Sequence, residues 1–391
     1  MATESSTNVQ LCEEKIHIMD KIKKNVSGYH KGSQPVKTRG EPVERAKHIK
    51  YFKRVLSVLP SHHLDSHRVS VAFFAISGLD VLEAMKELSD SRENIVKWIY
   101  SLQIQPNDTN LEQCGFRGCS TLGHAFDTEI AATQDIPYDS SNIAMTYTAL
   151  VSLLILGDDL SGVHKEPVLA GIKSLQQEDG SFISVLEGSE NDMRFVYCAC
   201  CVCFILDDWS GMDKDKTTSY IVQSLSYEGA FGQRPFNEAH GGSTFCAVAS
   251  LYLMGRLTTA LTERQQTQLK RWLLRRQETG FTGRPNKPAD TCYSFWVGAA
   301  LQMLGMLDLS NVTFNRSFVL SAQSSLTGGL SKYPDHVPDP LHTYLGLCGL
   351  SLIGEPGLSP VHPALNMTQR AFDHLCNLHR LWQEKKESKS I

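Results

Sequence analysis

Three things are scarce in this chain of 391 residues. Long apolar runs are missing. The stretch from Val196 to Leu206 is too short to span a bilayer, so an integral membrane protein is not expected. An excess of positive charge is missing. Lys and Arg number 38 against 42 Asp and Glu, a net charge of -4, which argues against a dedicated nucleic-acid binder and leaves any functional cation to be local. A secretory pattern is missing too. The opening MATESSTNVQ has no charged-then-apolar run, and most of the 11 cysteines sit inside apolar segments, as in YCACCVC from Tyr197 to Cys203. A disulfide framework would space them in polar loops. A reducing, cytoplasmic setting is the expectation, in which the sequons Asn311-Val-Thr and Asn366-Met-Thr stay bare.

What is present is a repeat. Gly180, Gly229, Gly280 and Gly329 open similar turns, EDGSF, YEGAF, ETGF and TGGL, at spacings of 49, 51 and 49 residues. About ten residues after each turn comes an apolar segment rich in Ala, Gly, Cys and Leu, and Gly157, Gly255, Gly305 and Gly354 close four such segments. A period near 50 marks a repeat architecture. Each unit offers an amphipathic segment, such as Arg264 to Gln277, and a segment apolar all round, which must be buried on all sides. An earlier unit, VAFFAISG from Val71 to Gly78, brings the apolar helices to six, starting near 71, 142, 191, 240, 290 and 340. Six inner helices ringed by six outer ones close into an all-α, α/α toroid, which hides the apolar helices better than an open solenoid. The expected body is a single domain from 46 to 383, between a polar segment at 1–45 and a charged tail, EKKESKSI, at 384–391.

Residues with chemistry recur where the inner helices begin. If those helices run the same way, their first turns share one rim, and Arg194, His240, Asp290, Cys292 and His342 meet there. Asp290, Cys292 and His342 offer one oxygen, one sulfur and one nitrogen, the three-ligand pattern of a catalytic zinc site with one open position. The plainer readings are a helix-capping Asp, a core Cys and a satisfied polar His. His240, Arg284, Lys287 and Lys332, with Tyr293 beside Cys292, suit a polyanion such as a diphosphate; the plainer reading is a solvated rim. Arg194, Tyr197, Cys246, Phe295 and Trp296 come from neighbouring inner helices, and small residues such as Ala144, Gly241, Gly242 and Ser243 leave room between them for a long apolar ligand or, in the plainer reading, simply pack.

The segments PNKPADTCYSFW, ENDMRFVYC, HGGSTFC and PLHTYLGLCGLSL, with the glycine-turn repeats, are where a family comes into view. From about residue 65 to 370 the chain resembles the beta subunits of protein prenyltransferases, most closely the type I geranylgeranyl branch. The resemblance implies an α/α toroid that carries zinc on Asp290, Cys292 and His342. It implies isoprenoid-diphosphate contacts at His240, Arg284, Lys287 and Tyr293, and a lipid cavity lined by Arg194, Tyr197, Cys246 and Trp296. It also implies a helical-repeat alpha subunit as partner. Where farnesyl enzymes have a bulky tryptophan at the cavity floor, this chain has Ser70, which leaves volume for a fourth isoprene unit. Where they have an aspartate that favours magnesium, it has Lys332, which neutralises the leaving group directly and implies little need for magnesium.

The implied reaction joins geranylgeranyl, from geranylgeranyl diphosphate, to the cysteine of a Cys-a-a-Leu ending, such as those of Rho-type small GTPases. A farnesyltransferase-type subunit is the alternative, and a non-enzymatic repeat scaffold a third reading. Triterpene cyclases share glycine-turn repeats, but they need a D-x-D-D acid that this sequence lacks.

Overall fold

The structure, a computed structural model, describes residues 42–58, 62–121 and 139–388. The expected N-terminal segment 1–45 lies outside the described residues as far as residue 41, and so do the last three residues of the expected tail. The described body begins at Pro42.

Six inner helices carry the apolar sequences: α2 (Arg68–Val81), α4 (Ile143–Ile155), α6 (Met193–Ile205), α8 (Gly241–Leu253), α10 (Tyr293–Met303) and α12 (Pro340–Leu352). Each touches the next in order, and α12 closes back onto α2, so the ring expected from the repeats is complete. The outer helices are α1 (Arg45–Ser57), α3 (Arg92–Ser101), α5 (Lys165–Ser174), α7 (Lys214–Gln223), α9 (Glu263–Leu274) and α11 (Val312–Ser321). After five of the outer helices the chain makes a β-bridge that buries a large apolar residue: Gln103 with Phe116, Gln176 with Phe182, Leu225 with Phe231, Gln277 with Phe281, and Gln323 with Leu330. The glycine turns seen in the sequence lie inside these bridges.

Four inner helices end on glycines in the left-handed region, Gly157, Gly255, Gly305 and Gly354, with φ between 67° and 77°. This is the usual stop for a helix whose last carbonyls need amides from a reversing chain. The other two stop the same way without glycine, at Glu83 and Asp207, each with φ of 52°.

A floor that the repeat pattern does not announce closes the ends of the inner helices. A short hairpin, β1 (Val361–His362) with β2 (Met367–Thr368), leads into α13 (Gln369–Ser388). The turn between the strands is wholly buried, and three consecutive carbonyls in it accept tyrosine hydroxyls. Tyr197 donates to Ala364 at 2.9 Å, Tyr147 to Leu365 at 2.9 Å and Tyr344 to Asn366 at 2.6 Å. Helix α13 supplies partners to carbonyls left over at helix ends: Arg370 to Ile155, and His379 to Ile205. Its last residues, 384–388, are exposed.

Closure depends on a buried histidine in α1. His48 Nδ1 accepts from the amide of Gly329 at 2.9 Å, and its Nε2 lies 3.0 Å from Gln323 Oε1. That geometry needs a neutral ring, and burial indeed lowers the pKa of His48, an effect its hydrogen bond to Gln323 opposes. In the interval between the lowered folded pKa and the unfolded value, the unfolded chain binds more protons, so stability rises with pH. The contribution is complete above the ordinary histidine value and is lost as pH falls below it. His48→Ala is expected to destabilise the chain by about 1–3 kcal/mol and to flatten the part of the stability curve that rises from mildly acidic pH to neutrality. Thermal unfolding of both proteins across that range measures it.

Candidate active site at the rim

The inner helices begin at one end of the ring, opposite the floor. Their first amides lack partners within the helix, and side chains just upstream take them. Asn142 accepts from Ala144 and Met145, Asp192 from Arg194, His240 from Gly242 and Ser243, and Asp339 from His342. Asp290 holds the equivalent place before α10: its Oδ1 accepts from the amide of Cys292 at 2.9 Å. The loops before α8, α10 and α12 agree in register, because His240, Asp290 and Asp339 each donate a backbone amide to the first residue of their loop, Phe231, Phe281 and Leu330.

This shared capping position brings the candidate ligands together. One ligand atom each from Asp290, Cys292 and His342 lie within 4.8 Å of one another, with Asp290 and Cys292 buried. His342 Nε2 is 3.2 Å from Asp290 Oδ1. Its other nitrogen, Nδ1, is 2.6 Å from Asp339 Oδ2, so a neutral ring donates to Asp339 and presents the Nε2 lone pair to the cluster. Burial would lower the pKa of His342, but the hydrogen bonds to Asp290 and Asp339 outweigh it and raise it to about 9. Burial works upward on Asp290, yet its bonds from His342 and Cys292 keep the carboxyl below the ordinary range. Burial, and then the Asp290 carboxylate, push the Cys292 thiol well up. The protein alone therefore keeps Cys292 a thiol beside an anion and an imidazolium. A divalent cation would reverse the tendencies of Cys292 and His342 and reinforce that of Asp290, and O, S and N donors in reach of one point with one oriented imidazole fit zinc.

The basic residues sit around this cluster. Lys332 Nζ is 3.7 Å from Asp290 Oδ2 and exposed. Arg284 pairs with Glu238 at 2.7 Å. Lys287 is exposed in the same loop as Arg284. Tyr293 Oη lies 2.9 Å from His240 Nε2. Burial and Arg284 lower the pKa of His240, and its Nδ1 is taken by two amides, so the neutral ring donates from Nε2 to Tyr293. Gly283 makes this possible, since a Cβ there would strike the Tyr293 ring.

Beneath the rim, rings from all six inner helices make an aromatic belt. Tyr344 meets Phe73, Phe73 meets Tyr147, Tyr147 meets Tyr197, Tyr197 meets Phe245, and Phe245 meets Trp296, with centroids 4.9–6.0 Å apart. Ser70, Phe74, Ala144, Gly242 and Trp296 stay partly exposed although they belong to inner helices. Ser70 Oγ touches Met145 Sδ at 3.2 Å and Thr148 Oγ1 at 3.3 Å. Cys246 is buried next to Phe245, and Tyr197 reaches down to the floor turn. Arg194 lies at the start of α6. Its guanidinium is half exposed at the rim and bound to Asp192 at 2.5 Å and Glu190 at 2.8 Å.

Sequence reasoning missed Asp339 and Glu238. Asp339 carried a signal, an acid three residues before His342 with Pro340 opening the helix, the spacing of a cap. Glu238 carried none, because its partner is 46 residues away.

The model of the prenyltransferase alpha-alpha toroid domain family matches residues 43–367. The chain is 42% identical over 346 residues to the geranylgeranyl transferase type-1 subunit beta of Dictyostelium discoideum, covering 85% of this chain and 97% of that protein. It is 40% identical to the same subunit of Arabidopsis thaliana, covering 83% and 88%, and 30% identical to the protein farnesyltransferase subunit beta of Schizosaccharomyces pombe, covering 78% and 77%. The fold is similar to that of Candida albicans protein geranylgeranyltransferase-I complexed with GGPP, with a TM-score of 0.76, 24% identity, and coverage of 86% of this chain and 99% of the other. The chain belongs to the prenyltransferase α/α toroid family. Within that family it stands with the type-1 geranylgeranyl transferase beta subunits, as an enzyme subunit. Among the described residues no helix is long and apolar enough to cross a membrane.

Replacing Asp339 by Ala should leave His342 Nδ1 without its acceptor and weaken metal retention by about 10- to 100-fold. Competition against a zinc chelator reads this directly.

Proposed function

We propose that this chain, with an alpha subunit, transfers a geranylgeranyl group from geranylgeranyl diphosphate to a cysteine near the C-terminus of a protein substrate, as in Cys-a-a-Leu endings of Rho-type small GTPases. The observation that carries the reading is the convergence, at one rim, of an O, S, N donor set and a cluster of cations above a belt of aromatic rings. The type-1 geranylgeranyl transferase subunits among the relatives support the choice of donor.

Asp290, Cys292 and His342 would hold zinc. A zinc ion bound there supplies the Lewis acidity that lowers the pKa of an acceptor thiol and makes it nucleophilic at neutral pH. The chain's own residues do the rest. His240 and Tyr293 present a hydroxyl, and Arg284, Lys287 and Lys332 present positive charge, where the diphosphate gains charge as its bond to C1 breaks. The belt and the floor below it exclude water and fix the tail, so that C1 stays near the thiol; oriented reactants of this kind gain several kcal/mol. Lys332 takes the place a magnesium ion would have beside the diphosphate, so added magnesium is expected to change the rate little. The acceptor thiols and the reducing conditions they need fit a cytoplasmic enzyme.

A farnesyl preference is the second reading, favoured only by the 30% identity to a farnesyltransferase subunit. Ser70 separates the two. Ser70→Trp fills the space beside Thr148 and is expected to shift preference toward farnesyl diphosphate in a donor competition; an unchanged donor ratio would remove Ser70 as the gauge. Cys292→Ala is expected to abolish zinc retention and transfer while lipid diphosphate binding persists. Normal zinc stoichiometry in that variant would end the metal assignment, as elemental analysis of the heterodimer shows at once.

A further inference from the structure

The rim cations are not equally available. Arg284 and Lys332 each face an acid contributed by the preceding repeat, Glu238 and Asp290 respectively. Asp290 has a second duty in the ligand cluster, and a cation bound there draws its charge away from Lys332. Glu238 has none. In the shared loop register, counted back from His240, Asp290 and Asp339, it stands where the next two loops carry Pro288 and Val337, so the loop does not require an acid there. It does not cap α8, since His240 does that two residues later. It is about half exposed, at 51%, and with Gln233, Asn237, His240 and Arg284 it lines a rim cavity of about 420 Å³.

We propose that Glu238 is an anionic place-holder for the diphosphate. It aims the Arg284 guanidinium before the donor arrives, yields it to the diphosphate, and pairs with it again as pyrophosphate leaves. A carboxylate and a phosphate compete for the same face of a guanidinium, and exchanging one anion for another avoids leaving the cation unoriented. Because the pair is half exposed, its displacement costs little, and Glu238 therefore tunes affinity by a modest factor. The inference rests on the reading of the rim cations as the diphosphate site.

The test is titration calorimetry of the purified heterodimer with inorganic pyrophosphate, together with steady-state kinetics. Glu238→Gln is expected to tighten pyrophosphate binding roughly 2- to 5-fold, to lower the donor KM by a similar factor, and to leave zinc content unchanged. The gain should shrink at high salt, and Glu238→Asp should behave as wild type. In an Arg284→Ala background, Glu238→Gln should change affinity much less. If Glu238→Gln binds pyrophosphate as wild type does, with zinc content and thermal unfolding intact, the place-holder role is overturned while the diphosphate reading stands. If the wild-type heterodimer binds neither pyrophosphate nor a prenyl diphosphate, the diphosphate reading itself falls, and this role with it.

Discussion

Every helix begins with amides that have no partner inside it, and a ring of six inner helices running the same way collects those unsatisfied donors on one rim. The rest of this structure depends on that constraint. Five side chains meet it, Asn142, Asp192, His240, Asp290 and Asp339, all just ahead of an inner helix. Polar residues are obligatory there even in a ring with no chemistry. What makes this rim a site is that three of the five, His240, Asp290 and Asp339, also hold a second group. His240 caps with one nitrogen and meets Tyr293 with the other. Asp290 spends an oxygen on Cys292 and still faces His342 and Lys332. Asp339, which caps α12 with one oxygen, steadies the His342 ring with the second. The geometry of the candidate site is thus set by the same hydrogen bonds that start the helices, which is why it can be rigid without a dedicated scaffold.

The opposite end obeys the mirror requirement. Helix ends leave carbonyls unpaired, and α13 brings Arg370 and His379 to two of them. The floor turn has the reverse need, buried carbonyls of its own, and three tyrosines of the belt satisfy them. The belt's tyrosines therefore spend their hydroxyls on the floor.

Much of the ring was legible because its signals are local and periodic. The glycine turns and the all-round apolar segments gave the inner helices to within a few residues, with α8 at Gly241 and α12 at Pro340 against expected starts near 240 and 340. The ligand cluster was legible because Asp290 and Cys292 are two apart and His342 falls in the next unit at a similar place. What escaped lacks a fixed spacing. Glu83 and Asp207 end their helices as glycine would, yet nothing in their chemistry marks them. The floor hairpin has no counterpart in any repeat. Arg194, which the motif placed at the rim and in the cavity lining, has its guanidinium held at the rim by acids two and four residues earlier.

Ring closure has a consequence for how the protein is made. The α1 contacts to Gln323 and Gly329 join residues 275 to 281 positions apart, and Tyr147 finds its acceptor 218 positions downstream. A nascent chain leaving the ribosome can form each helical pair as it emerges, but the first and last pairs must wait for one another, and the basal plug is translated after every wall it fills. Until the final segment is released, the inner helices of a partly built ring keep apolar flanks open to solvent. That interval is when the polypeptide is most vulnerable to aggregation and when a folding helper would have most to shield.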